Sequence, residues 1–315
     1  MKKTIKIIII SILIILILTY LYSFISIKLS YKDLNSLIYD DSKFIKIENF
    51  NVHYLDYGNG EKIILLIHGF GASTYSFRYI TLPLTKYGRV IAIDLPGFGL
   101  TERPLIKNLN YNPYSRDGQV ETIKKFLDSL NIKKVMILGH SMGGGVATYF
   151  TIKYPEYVEK LIIEDGAIFD QQFGGSLVKF LKTSFGKFFW PVIVKPLVAQ
   201  ISRLKDIAYY DKNIIKENDI KEYKKALNVK NWDYGLYEIT TSLERVNLKE
   251  KLNQIEVKVL VIWGEFDKVI PLEVGLEISS LIKNCDFKII KNCGHVPHEE
   301  KPDYFLKILI EFIEN

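Results

Sequence analysis

The stretch Val135-Met136-Ile137-Leu138-Gly139-His140-Ser141-Met142-Gly143 leaves this chain few folds to choose from. A short apolar run ends at Gly139, and a helical pattern, Val146-Ala147-Thr148-Tyr149-Phe150, begins just beyond Gly143-Gly144-Gly145. An apolar run, a glycine-bracketed turn and a helix in succession predict a strand that reverses sharply into a helix. Glycines two residues either side of Ser141 match the G-x-S-x-G spacing of a nucleophile elbow. The steric reason is direct. Such a turn strains the serine backbone, and side chains at the flanking positions would collide with the adjoining strand and helix. The hydroxyl then stands clear of the sheet at a helix N-terminus, where the dipole favours negative charge. A glycine-rich turn with no chemical role has the same local pattern, so the motif needs partners elsewhere in the chain.

Other apolar runs end the same way. Lys62 to Ile67 runs into His68-Gly69-Phe70-Gly71, and Arg89 to Ile93 into Asp94-Leu95-Pro96-Gly97-Phe98-Gly99. Lys160 to Ile163 ends at Glu164-Asp165, Val257 to Trp263 at Gly264-Glu265-Phe266-Asp267, and Asp286 to Ile290 at Asn292-Cys293-Gly294-His295. Near-continuous apolar runs are the pattern of strands covered on both faces. Helical periodicity falls between them, over residues 74–86, 117–130, 142–153, 272–282 and 298–313. Strands alternating with helices predict a mainly parallel α/β sheet. An alternating hairpin, Lys43 to Ile47 and Val52 to Tyr57, precedes it, after a mixed polar link over residues 28–42. From about Ala167 to Leu252 the rhythm changes to an aromatic-rich helical segment broken by Pro191 and Pro196. That segment is expected to cap the sheet's C-terminal edge. Ligands of such sheets bind outside the carboxyl ends of the strands. His68, Asp94, Ser141, Asp165, Asp267 and His295 all end strands, which predicts a single site.

Ile7 to Ile27 carries no charge. As a helix it spans about 30 Å, the hydrocarbon thickness of a bilayer. The small-residue cleavage site of a signal peptide is lacking, and no cysteine follows for lipidation. Residues 1–30 are therefore expected to be an uncleaved single-pass membrane anchor. Lys2, Lys3 and Lys6 outweigh Lys28 and Lys32, which predicts the N-terminus inside and the remaining domain outside the cytoplasm. Those five lysines also account for nearly all of the net charge of +6: without them 37 basic residues face 36 acidic ones. Such a domain offers no electrostatic footprint for nucleic acid. Cys285 and Cys293 flank a strand pattern that would hold them roughly 25 Å apart, so both are expected as free thiols. Neither has metal-ligand spacing.

Taken together and in order, these motifs resemble the α/β-hydrolase fold family in its capped esterase/lipase branch, from about residue 43 to the C-terminus. The resemblance implies a mostly parallel eight-stranded α/β-hydrolase sheet with flanking helices. Residues 43–166 and 253–315 would form the core and residues 167–252 a helical cap. It implies Ser141 as nucleophile, His295 as base and Asp267 as the acid that orients it, in the family's Ser…Asp…His order. The oxyanion hole would use the backbone N–H groups of Phe70 and Met142. No cofactor and no metal are implied. Asp165 is the rival acid, with Glu164 behind it, and His298 is the rival base. His68 and Asp94 read as loop-holding residues and His140 as a packing residue of the elbow. The activity implied is ester hydrolysis through an acyl-enzyme, on a small, apolar class of substrate such as monoacylglycerols or other lipid-like esters. Carbon–carbon bond hydrolysis and a cofactor-free haloperoxidase-like activity are the catalytic alternatives, and a binding protein on a hydrolase fold is the non-catalytic one. A serine at the elbow, where haloalkane dehalogenases and epoxide hydrolases use a carboxylate, argues against those two activities.

Overall fold

In the computed structural model the apolar runs lie side by side in one eight-stranded sheet, and residues 2–169, 175–199, 203, 205–242 and 248–315 are described. The strands are β1 (Lys43–Ile47), β2 (Phe50–Tyr57), β3 (Ile63–Ile67), β4 (Arg89–Ile93), β5 (Val135–His140), β6 (Val158–Glu164), β7 (Lys258–Gly264) and β8 (Cys285–Ile290). Their spatial order is β1-β2-β4-β3-β5-β6-β7-β8. The β1–β2 hairpin joins antiparallel through β2 and β4, and the other pairs are parallel. β5 lies centrally between β3 and β6, and its residues are buried throughout because layers of core cover both faces.

The helices are α1 (Lys2–Ser30), α2 (Thr81–Leu84), α3 (Arg116–Ser129), α4 (Met142–Lys153), α5 (Gly175–Leu181), α6 (Ser184–Ala199), α7 (Lys205–Ala208), α8 (Glu217–Lys225), α9 (Trp232–Ser242), α10 (Leu272–Leu281), α11 (Pro297–Glu300) and α12 (Pro302–Glu314). α3 shows why they form. The Ser115 hydroxyl accepts the Gly118 N–H at 3.0 Å to cap the first turn. Val120, Ile123, Phe126 and Leu127 then make a buried stripe against the sheet, each side chain worth about 1.5–3 kcal/mol when fully buried.

Two predicted helices are broken. In place of a helix over 74–86 there is a 3₁₀ turn, Thr74–Phe77, followed by the single turn of α2. Pro83 interrupts the helical ladder there, since it has no N–H to donate and its ring clashes with the carbonyl four residues back. Asp94 Oδ1 accepts the Thr74 N–H at 2.7 Å, and the Thr81 hydroxyl donates to the Phe77 carbonyl at 2.8 Å. The helix expected over 298–313 divides into α11 and α12 at Lys301, whose φ −135° and ψ 53° follow from the proline after it. Nor is 28–42 merely a link, since α1 continues to Ser30 and Leu37 packs into a small cluster with Leu100 and Val229. Both cysteines are free. Burial pushes the Cys285 thiol up to about 12 and that of Cys293 further in the same direction, so neither is a ready nucleophile.

Helices α5 to α9 are inserted between β6 and β7. The later part of this insertion is fixed to the core by buried charge. Glu299, at the end of α11, pairs with Arg78 at 2.8 Å and accepts the Tyr209 hydroxyl at 2.9 Å, that of Ser76 at 2.7 Å, and that of Tyr223. Arg78 also pairs with Asp219 of α8 at 3.2 Å. The earlier part is held differently. Ile27 of α1 is buried in an apolar cluster with Leu181, Trp190, Val194, Trp232 and Tyr237, and the Trp232 indole donates to Ser30 at 3.0 Å. Apart from this last turn α1 is largely exposed, and Thr4–Ser30 is long and apolar enough to cross a membrane.

Candidate active site

β5 delivers Ser141 at φ 53° and ψ −118°, a region in which a side chain is strained by about 1–3 kcal/mol. The surroundings hold it there. Its N–H donates to the Glu164 carbonyl at 2.9 Å, and its carbonyl accepts the Gly144 and Ala167 N–H groups at 2.9 and 2.8 Å. The flanking glycines are a matter of space. A Cβ on Gly139 would lie 2.2 Å from the Gly143 carbonyl oxygen, and one on Gly143 would lie 2.3 and 2.5 Å from the Ile67 and His68 carbonyl oxygens. None of these backbone atoms can yield without moving the elbow or β3. Gly143→Ala is therefore expected to cost on the order of 3 kcal/mol through overpacking, read as a fall of several degrees in the thermal midpoint in mild detergent.

The Ser141 hydroxyl lies 2.9 Å from His295 Nε2, and His295 Nδ1 lies 2.7 Å from Asp267 Oδ2. The other oxygen of Asp267 accepts the Val269 and Ile270 N–H groups at 2.7 and 2.9 Å, so the carboxylate is held at both ends. His295 comes on the loop after β8. That loop is fixed by the His295 N–H to the Ala208 carbonyl at 2.7 Å and the Gly294 N–H to Glu300 at 2.7 Å. From beneath, His140 Nε2 donates to the His295 carbonyl at 2.7 Å. Burial, together with the neighbouring histidines, pushes the His140 imidazole well down from its ordinary value, so it stays neutral.

The rival residues go elsewhere. His298 is fully buried, with Nδ1 2.7 Å from Glu164 Oε1 and Nε2 2.7 Å from the Ser76 hydroxyl. That is a second hydroxyl–imidazole–carboxylate string, but it has no surface through which a substrate could reach it. Asp165 is fully buried beside Asp267, with oxygens of the two acids and a His295 nitrogen all within 4.8 Å. It accepts the Gly264 N–H at 3.0 Å rather than a histidine. Burial, then the charges of Asp267 and Glu164, push its carboxyl well above the usual range. Two carboxylates this close cannot both ionise cheaply, and Asp165 is the one that keeps its proton.

On the opposite side of Ser141 the loop after β3 is set by His68. Its Nε2 accepts the Leu95 N–H at 3.1 Å, leaving Nδ1–H to donate to the Gly69 carbonyl at 2.7 Å. Burial pushes the His68 imidazole down, in keeping with one proton. Because the Gly69–Phe70 peptide is planar and trans, pinning the Gly69 carbonyl turns the Phe70 N–H to the opposite side. A Cβ on Gly69 would lie 3.1 Å from the Ser141 Cβ, which shows how closely this peptide approaches the elbow. The Met142 N–H opens α4 and has no acceptor within the helix.

Asp94 organises the adjoining loops. It accepts the N–H groups of Thr74 and Leu100, each at 2.7 Å, and pairs with His53 Nδ1 at 2.7 Å. Burial would raise its carboxyl, but His53 and these donors prevail and hold it down at about 2. His53 is absent from the sequence reading because it sits mid-strand in β2, where only its polarity at a fully buried position marks it. Asp94→Ala strands three buried donors and is expected to cost about 3–5 kcal/mol. The ionised carboxyl itself contributes about 2 kcal/mol. That part is present above the unfolded value near 4 and is lost as pH falls towards 2. Thermal midpoints of the wild type and Asp94→Ala should therefore converge over that range.

Comparisons with known proteins agree with this architecture. The model of the alpha/beta hydrolase fold family matches residues 62–302. A 2-hydroxy-6-oxononadienedioate/2-hydroxy-6-oxononatrienedioate hydrolase of Pseudomonas putida is 29% identical over 289 residues, 87% of this chain and 97% of that protein. The structure of a meta-cleavage product hydrolase from Pseudomonas fluorescens is similar with a TM-score of 0.70 at 27% identity, over 86% of this chain and 97% of that one. A membrane phospholipase A described as a bacterial virulence factor shares the fold over the whole of both chains, with a TM-score of 0.70 at 23% identity. On the family match, the eight-stranded sheet and the strand–elbow–helix at its centre, the chain belongs to the alpha/beta hydrolase fold family.

Proposed function

We propose that this protein is a membrane-anchored serine hydrolase that cleaves carboxylic esters with apolar acyl chains through an acyl-enzyme on Ser141. The observation that carries the reading is the unbroken string Ser141–His295–Asp267, at 2.9 and 2.7 Å. A serine hydroxyl is a weak nucleophile alone and needs a base within hydrogen-bond reach. His295 Nε2 takes the Ser141 proton as the hydroxyl attacks the carbonyl, then gives it to the departing alcohol. Asp267 keeps the other imidazole proton on Nδ1 and stabilises the imidazolium. The N–H groups of Phe70 and Met142 face the charge that develops on the carbonyl oxygen. Water then repeats the cycle and releases the acid.

Residues 167–252 act as the cap in this reading. Aromatic rings flank the loops that bear the string: Phe70 lies against Phe98 at 5.3 Å, and Phe266, next to Asp267, stacks on Tyr210 of the insertion at 5.0 Å. Phe70, Phe266 and Tyr210 are each about half exposed, an apolar rim that suits an acyl chain. α1 is the anchor, with the N-terminus inside by its flanking lysines.

A second reading is hydrolysis of a carbon–carbon bond in a vinylogous diketone, favoured by the curated relatives named above. The same base and oxyanion donors would serve it. Purified full-length protein should be offered p-nitrophenyl esters of graded chain length, monoacylglycerols and a 2-hydroxy-6-oxo-dienoate. Ester turnover that rises with chain length is the expected result. Turnover of the dienoate alone would overturn the ester reading in favour of the second.

A further inference from the structure

We propose that α5 and α6 form a bilayer-docking surface, with their aromatic side chains in the acyl boundary and their lysines among anionic headgroups. The proposal rests on α1 crossing the bilayer. Residues 175–199 contain four lysines, Lys179, Lys182, Lys187 and Lys195, and no acidic residue. Among them Phe185 and Phe188 are 62% and 54% exposed, and Leu177, Phe180 and Leu197 are also exposed. Single exposed apolar residues are ordinary, but a contiguous patch on a basic helix is the pattern of a segment lying in a membrane interface.

The patch is continuous with the anchor. Rings run from Phe180 to Phe185 at 6.1 Å, on to Phe189 at 4.4 Å and Phe188 at 5.2 Å from Phe189, and from Phe188 to Tyr20 of α1, stacked at 4.5 Å. Lys195 reaches the same helix, donating to Ser26 at 2.6 Å and lying over the Tyr22 ring. These contacts set a depth. A crossing takes about 20 helical residues, so a helix entering at Ile7 leaves near Ser26. Tyr20 then lies about 9 Å inside that exit. Tyr22 and Phe24 lie nearer that exit, where aromatic residues gather at an interface. A ring stacked on Tyr20 shares its depth. When α1 spans the membrane, Phe188 has no choice but to enter it, and the exposed rings beside it follow. Lys179 and Lys182 are exposed and can meet phosphate groups, while Lys187, also exposed, lies over the Tyr237 ring of α9. Each lysine near an anionic surface adds about 1 kcal/mol of attraction, and two modest signals together make a firm attachment where one does not.

The test uses the full-length protein in phosphatidylcholine–phosphatidylglycerol vesicles, with and without brominated acyl chains that quench tryptophan at close range. Phe188→Trp and Phe185→Trp report the patch, Leu13→Trp reports the middle of α1, and the unsubstituted protein supplies the background to subtract. Two reporters guard against one of them disturbing the fold. The expected result is about a twofold or greater loss of the added emission for all three substitutions, as befits rings seated in the acyl boundary. Quenching of Leu13→Trp with none at either patch position would overturn the docking surface and leave the anchor standing. Absence of quenching at Leu13→Trp would overturn the anchor, and the docking surface with it.

Discussion

Ser141→Ala is expected to lower kcat by about five to six orders of magnitude while leaving the thermal midpoint close to that of the wild type. The size follows from the proposed chemistry. Without the hydroxyl there is no acyl-enzyme, and His295, Asp267 and the oxyanion donors cannot act on a nucleophile that is missing. What survives is the rate gained from binding and from the Phe70 and Met142 N–H groups, about three to four orders of magnitude over water. Folding is spared because, among the described residues, the Ser141 hydroxyl bonds only His295, while the elbow is held by backbone contacts to Glu164 and Ala167. A fluorophosphonate probe gives the same answer by another route. It should label the wild type and not Ser141→Ala, and a folded wild type that takes no label would end the serine-hydrolase proposal.

Asp267→Asn and Asp165→Asn should differ by about three orders of magnitude in kcat, although the two carboxyls are neighbours. Amide at position 267 presents the wrong partner to His295 Nδ1, and a loss of about 10⁴ is the scale of that error. Asp165 already carries its proton, so an amide there matches its shape and charge and should cost less than about tenfold. A larger loss at 165 than at 267 would reverse the assignment of the acid. Stability supplies a second readout with a defined sign. Asp165 has a folded value raised above the unfolded one, so its contribution is complete below about pH 4 and is lost as pH rises. The midpoint of Asp165→Asn relative to wild type should therefore climb as pH goes from 4 to 8.

Much of the sheet could be read from the chain because its parallel strands are covered on both faces, which turns them into apolar runs that stand out from their flanks. The elbow was legible for a related reason: backbone crowding around Gly139 and Gly143 excludes side chains, and exclusion leaves a mark in sequence. The choice between Asp267 and Asp165 was not legible in the same way. Both are acids at the ends of adjacent strands, and what separates them is that one meets an imidazole and the other a peptide N–H. The breaks in two helices did carry a signal in the sequence, Pro83 for the first and Pro302 for the second. Least visible was the Glu299 hub, because Ser76, Arg78, Tyr209 and Tyr223 are drawn from distant stretches and none is unusual where it stands.

On the proposal that α1 anchors the protein in a membrane, the insertion's two footings have a practical consequence for its purification. Detergent replaces lipid but does not reach buried ions. The hub around Glu299 and Arg78, and with it the peptide contacts that hold the His295 loop, should survive extraction into micelles unchanged. The α1–α6 seam is an apolar contact open to solvent along most of its length, and it takes its surroundings from whatever amphiphile is present. Chain-length preferences measured in micelles would then describe the micelle as much as the enzyme, and nanodiscs are the preparation in which such preferences belong to the protein.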